Sequence, residues 1–87
     1  MRSLFVTQQF KRDFKKIPKE IQMEANGIVE DLIENPFHPT YNIRKLKLPK
    51  VKLYRVRIRV YRLIYSFDKT SLTLHRISHR KDIYKFI

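Results

Sequence analysis

The chain has 87 residues, one glycine, no cysteine and a formal charge of +12. That length holds one domain with a modest core, helped here by six phenylalanines and five tyrosines. The lack of cysteine excludes disulfides and thiolate metal sites, and no apolar run is long enough to span a bilayer or serve as a signal segment, so one cytoplasmic domain over 1–87 is expected, away from the membrane.

Leu4, Phe5 and Val6 make residues 2–6 β-prone and predict a first strand. Thr7 suits a helix N-cap. Phe10, Phe14 and Ile17 then recur on one helical face, with Lys11, Arg12, Lys15 and Lys16 mostly on the other. Pro18 ends that helix and opens the next. In the second helix Ile21, Ala25, Ile28, Val29, Leu32 and Ile33 form an apolar stripe, and Glu20, Glu24, Glu30, Asp31 and Glu34 point outward. Gly27, the only glycine, falls inside this helix at a cost of about 1 kcal/mol against alanine, which a close approach of the two helices would explain. Asn35 and Pro36 end the helix.

Residues 37–41 form a proline-bounded loop. Residues 42–52 alternate charge with Ile43, Leu46, Leu48 and Val51, and read as an irregular segment or an edge strand stopped by Pro49. Residues 53–59 alternate strictly: Tyr54, Val56 and Ile58 share one parity, Arg55, Arg57 and Arg59 the other. A second strand follows over 61–67, then a polar turn at Asp68, Lys69 and Thr70, a third strand over 71–78, and a tail ending in a short helical turn. The order β-α-α-β-β-β predicts an α+β fold, with two helices on one face of an antiparallel sheet and the arginines on the open face.

Charge is segregated. Residues 1–43 hold six basic and six acidic side chains, and residues 44–87 hold fourteen and two. A basic field this concentrated implies a polyanionic partner, RNA or DNA. His38, His75 and His79 lack metal-ligand spacing, no Ser-His-Asp grouping is visible, and no glycine loop exists to cradle a nucleotide. Arginine, lysine, tyrosine and histidine remain, a set suited to phosphodiester chemistry without a metal or cofactor. Arginines stabilise charge on a phosphate through paired N–H donors. They are poor bases, because guanidinium stays protonated below about pH 12.

The runs L-Y-R-V-R-I (53–58), Y-R-L-I-Y (61–65) and I-S-H-R-K-D-I-Y (77–84), preceded by K-L-K (45–47), resemble the RelE/ParE superfamily of type II toxins. The resemblance covers nearly the whole chain. It implies a fold similar to a microbial ribonuclease core and a cognate antitoxin as partner. Of its two branches, RelE-like toxins cleave mRNA in the ribosomal A site, without metal, leaving a 2′,3′-cyclic phosphate, whereas ParE-like toxins poison DNA gyrase. The RelE catalytic positions fall on Arg55, Arg57, Arg62, Arg80 and Tyr84. By resemblance, Arg62 and Arg80 hold the scissile phosphate, Arg55 and Arg57 bind flanking phosphates or tune a neighbouring base, and Tyr84 orients a nucleotide. Lys45, Lys47, Lys52, Arg59 and His79 complete the expected RNA-binding set. Arginine at 55 and 57, where lysine can stand in relatives, leaves the proton acceptor open among Lys47, Lys52, His79, Tyr84 and the ribosome. Arg59-Val60 replaces the Gly-Asp or Gly-Asn often found after this strand, so a wider turn or bulge is expected. The resulting expectation is a ribosome-dependent mRNA endoribonuclease toxin. The alternatives are a gyrase poison and a non-catalytic nucleic-acid-binding module.

Overall fold

A computed structural model describes residues 1–83. The elements are β1 (Ser3–Val6), α1 (Gln8–Lys16), α2 (Lys19–Glu34), β2 (Arg44–Lys45), β3 (Tyr54–Ile58), β4 (Tyr61–Phe67) and β5 (Ser71–His79). Thr7 caps α1 as its sequence suggests, its side chain accepting the Phe10 N–H at 3.0 Å. The Pro18 carbonyl starts α2 by accepting the N–H groups of Ile21 and Gln22, each at 3.0 Å.

The expected order holds, with one addition and one correction. The addition is β2, two residues that pair with Tyr54 and Arg55 and so realise the edge-strand alternative within residues 42–52. The correction concerns β1. The five strands lie in the order β1-β5-β4-β3-β2, and β1 runs parallel to β5, so the sheet is mixed rather than wholly antiparallel. The two helices carry the chain back across the sheet after β1, which lets the last strand of the meander run alongside β1 in the same direction.

The core lies between the helices and one sheet face. Phe10, Ile17, Ile21, Ala25, Ile28, Val29 and Leu32 meet Val56, Ile58, Leu63, Tyr65, Leu72, Leu74 and Ile77. Tyr54, Tyr65, Phe67 and Phe37 pack ring against ring at one end of this layer. Tyr65 is fully buried, and its hydroxyl donates to the Pro36 carbonyl at 2.6 Å.

β1 stops at Val6, so β5 has a free edge from His75 onward, and α1 fills it. The Thr7 hydroxyl donates to the His75 carbonyl at 2.9 Å. Asp13, 7% exposed, accepts the Ile77 main-chain N–H at 3.2 Å and two Arg76 donors, Nε at 2.9 Å and Nη2 at 3.2 Å. The β3–β4 hairpin turns on Arg59 and Val60 alone, because Ile58 and Tyr61 are already paired. The wider turn or bulge expected from the sequence does not form. Arg59 instead adopts a left-handed φ of 56°, a strain of about 1 kcal/mol. Its guanidinium reaches Glu20 at 3.6 Å and Glu24 at 3.5 Å on α2. Gly27 is not a point of close helix approach. A Cβ there meets nothing within 4 Å.

Two stability outcomes follow from this packing. Gly27→Ala raises unfolding stability by about 1 kcal/mol, because the helix gains propensity and nothing clashes. Asp13→Ala lowers it by about 3 kcal/mol, because the Arg76 charge and the Ile77 N–H lose their acceptor. Urea unfolding midpoints at constant slope measure both.

Candidate nucleic-acid interface

Antiparallel register fixes which side chains share the second sheet face. Arg57 lies opposite Arg62, and Arg62 opposite Ser78, in one row. Arg44, Arg55, Ile64 and Arg76 make the next row, two residues along, about 6.6 Å away. Ile58 and Tyr61 flank the turn as a hydrogen-bonded pair, so Arg57 and Arg62 form the closer, non-hydrogen-bonded kind, with Cα atoms about 4.5 Å apart. Arg62 is half-buried, and its Nε and Nη1 are shielded from solvent. Arg80 follows β5 directly and is exposed. Its N–H donates to the Val60 carbonyl at 2.7 Å, which holds this residue beside the turn that joins Arg57 to Arg62.

The structure thus gathers Arg55, Arg57 and Arg62 on one face with Arg80 at its end. Other expected residues stand elsewhere. Arg59 leaves this face at the turn and pairs with α2. His79 is opposite Tyr61 on the helix side, their rings 5.8 Å apart, and its Nδ1 accepts the Lys81 N–H at 3.2 Å. Lys45 is opposite Tyr54, on the helix-side parity, and is exposed at the sheet edge. Lys47 and Lys52 are exposed on the loop between β2 and β3. Tyr84 lies outside the described residues. Among the described residues, no three His, Cys, Asp or Glu side chains converge as a metal site would need.

Two arginines on this face escaped the sequence reading. Arg44 joins through the pairing of β2 with Arg55, which no local pattern announces. Arg76 joins through an irregularity in β5: Ile64 pairs with Arg76 but Tyr65 with Leu74, so His75 is an extra residue and the parity of the strand flips. The spacing of Leu72 and Leu74 against Ile77 carries that signal, two steps and then three. Arg76 is held by Asp13 and so contributes less free charge than its neighbours.

This face is not wholly open, as had been expected. Ile64 sits among the arginines yet is fully buried. Leu48, Val51 and Leu53, from the loop before β3, line a groove of about 490 Å³ with Ile64, Thr7, Gln9, His75 and Arg76. The His75 Nε2 lies 2.6 Å from the Ser66 hydroxyl, and burial holds the ring below its ordinary pKa of 6.5. On the helix side Tyr41 donates to Asp31 at 2.5 Å, and that bond with the carboxylate pushes its pKa up to about 12.

Residues 4–84 match the family model of the ParE toxin of the type II toxin–antitoxin system parDE. A toxin named RelE3 from Methanocaldococcus jannaschii is 29% identical over 99% of this chain and 98% of its own length. The crystal structure of a RelB–RelE antitoxin–toxin complex from Methanococcus jannaschii contains a chain with a TM-score of 0.79 and 25% identity, covering 95% of this chain and 98% of that one. The fold is also similar to a chain of the E. coli DinJ–YafQ toxin–antitoxin complex, at a TM-score of 0.81 and 18% identity, covering 95% of this chain and 97% of that one.

The half-buried His75 imidazole sets a pH dependence. An unfolded His75 takes up a proton near pH 6.5, whereas the folded ring resists it until lower pH. Its contribution to stability is therefore complete above pH 6.5 and is lost as pH falls toward the depressed folded value. Urea midpoints between pH 5 and 7.5 fall toward the acid side, and His75→Gln flattens that slope.

Proposed function

The chain belongs to the ParE toxin family of type II toxin–antitoxin systems, and we propose that it is a ribosome-dependent, metal-independent mRNA endoribonuclease, neutralised by an antitoxin. The observation that carries this reading is the pair of adjacent arginine rows, Arg57–Arg62 and Arg44–Arg55, with Arg80 beside the turn. Their spacing of about 6.6 Å suits successive phosphates of an extended strand. In the proposed reaction the 2′-oxygen attacks phosphorus, the bond to the 5′-oxygen breaks, and a 2′,3′-cyclic phosphate remains. Arg62 and Arg80 hold the non-bridging oxygens as charge builds on them, by paired charged donors. Arg55 and Arg57 seat the flanking phosphates, and Tyr84 orients a nucleotide. The shielding of Arg62 from solvent strengthens its effect on that charge, because little water screens it. Arginine does not take the 2′-proton, so the base comes from another side chain or from the ribosome. The RelE and YafQ likenesses support this reading. An antitoxin partner is supported by the RelB–RelE and DinJ–YafQ complexes.

A second reading is a ParE-type poison of DNA gyrase. The family match favours it, as does arginine at both Arg55 and Arg57, which supplies charge without a base.

One comparison separates the two. The chain is incubated with ribosomes and a defined mRNA, and separately with gyrase and plasmid DNA. The nuclease reading expects codon-spaced mRNA cuts ending in a cyclic phosphate, and a loss of about 10²–10³-fold in rate for Arg62→Ala. Intact mRNA with gyrase-dependent DNA damage supports the second reading instead.

A further inference from the structure

The loop between β2 and β3 reaches over the arginine face, since Leu48, Val51 and Leu53 share a groove of about 490 Å³ with residues of β4, β5 and α1. The loop is fastened at its base, where the Leu46 N–H donates to the Leu53 carbonyl at 2.8 Å, and Pro49 restricts its backbone. Its apolar side chains therefore stand as a preformed wall beside Ile64, which is fully buried.

Two features of the groove exceed what covering Ile64 requires. Val51 is 52% exposed, an apolar side chain carried between Lys50 and Lys52, both exposed. Arg76, also in the lining, is fixed by Asp13 through Nε at 2.9 Å and Nη2 at 3.2 Å. Those bonds take up the edge of the guanidinium and leave its flat face as a stacking surface.

Chemistry selects the ligand. Ile64 and Arg76 belong both to this groove and to the row that carries Arg44 and Arg55. Exposed Lys47, Lys50 and Lys52 add to the same positive field. The groove thus suits a flat apolar group attached to a line of anionic charges. Single-stranded RNA has that form, because each phosphate carries a base that can be splayed out, stacked and read along its edge. Gln9 uses its amide nitrogen on Asp13 at 3.0 Å, and the carbonyl oxygen of the same amide is an acceptor suited to a base amino group.

We propose that this groove is a nucleobase pocket, which takes the base of a nucleotide beside the scissile phosphate. Leu48 and Val51 lie against the ring, Gln9 reads its edge, and Arg44 and Arg55 hold its phosphate. The Arg44–Arg55 row is about 6.6 Å from the Arg57–Arg62 row, one step along an extended strand, so the selected nucleotide is next to the cut. The pocket gives the reaction its sequence preference, and the proposal rests on the nuclease reading above.

The test measures ribosome-dependent cleavage of a defined mRNA, either intact or with an abasic site placed in turn at each nucleotide flanking the cut. An abasic site removes the base and keeps the phosphate. Val51→Ser and Gln9→Leu are the variants; neither adds charge, and urea midpoints confirm that both fold. On intact mRNA each variant is expected to lose about tenfold or more in kcat/KM, the scale on which one pocket contact discriminates substrates. One abasic position costs the unaltered chain a similar factor and costs the variants nothing further, because base and pocket act as a unit. Unchanged cleavage by both variants overturns the proposal. Equal losses on intact and abasic mRNA also overturn it, placing the loop in contact with the ribosome or a protein instead. If the unaltered chain leaves ribosome-bound mRNA uncut, the nuclease reading fails and the proposal falls with it.

Discussion

Where β1 ends at Val6, the edge of β5 passes from a strand partner to a side chain, the Asp13 carboxylate, which takes the Ile77 N–H and two donors of Arg76. Gln9 donates to the same group at 3.0 Å, so the carboxylate is closely enclosed. A buried ion pair adds little net stability over an apolar pair, but losing one partner leaves a charge and an N–H without compensation. This one contact docks α1 on the sheet, closes an edge that would otherwise invite other strands, and holds Arg76 at the end of the arginine row. The extra residue at His75 belongs to the same arrangement, because it turns Ile77 into the core and Arg76 onto the other face.

The sheet keeps its two faces chemically separate. The helix face is apolar and aromatic, and the buried Tyr65 hydroxyl on it donates to the Pro36 carbonyl. The other face stacks arginines around one buried isoleucine, with loop leucines and a valine beside it. Cations this close repel one another, so the face gains most from an extended anion. The strained turn at Arg59 fits that arrangement, since it moves one guanidinium to the acidic side of α2 and leaves Arg57 and Arg62 to face each other.

For phosphodiester chemistry such a face supplies binding and charge stabilisation more readily than proton transfer. Guanidinium groups remain charged whatever their neighbours do. His75, whose pKa is lowered by partial burial, sits at the Ser66 end of the face rather than in the Arg57–Arg62 row. His79 faces Tyr61 on the helix side. The proposed nuclease thus draws its proton acceptor from a lysine, from Tyr84 or from the ribosome, while the arginines set the path of the strand.

Helices, meander and the parity of Arg55, Arg57 and Arg62 were legible in the sequence, because amphipathic periodicity and short connections are local properties. The segregation of charge was legible for the same reason. The parallel partnership of β1 with β5 was not, since it joins residues some seventy apart with no local signal. Nor were Arg44 in the basic row, the left-handed Arg59, or the roles of Asp13 and Arg76, each of which depends on an edge or a register. By itself, the sequence determined which residues share a face within one element. Tertiary structure decided which elements lie side by side, because strand pairing, edge closure and loop cover are settled by distant contacts, and those contacts turn three alternating arginines into one corner of a basic face.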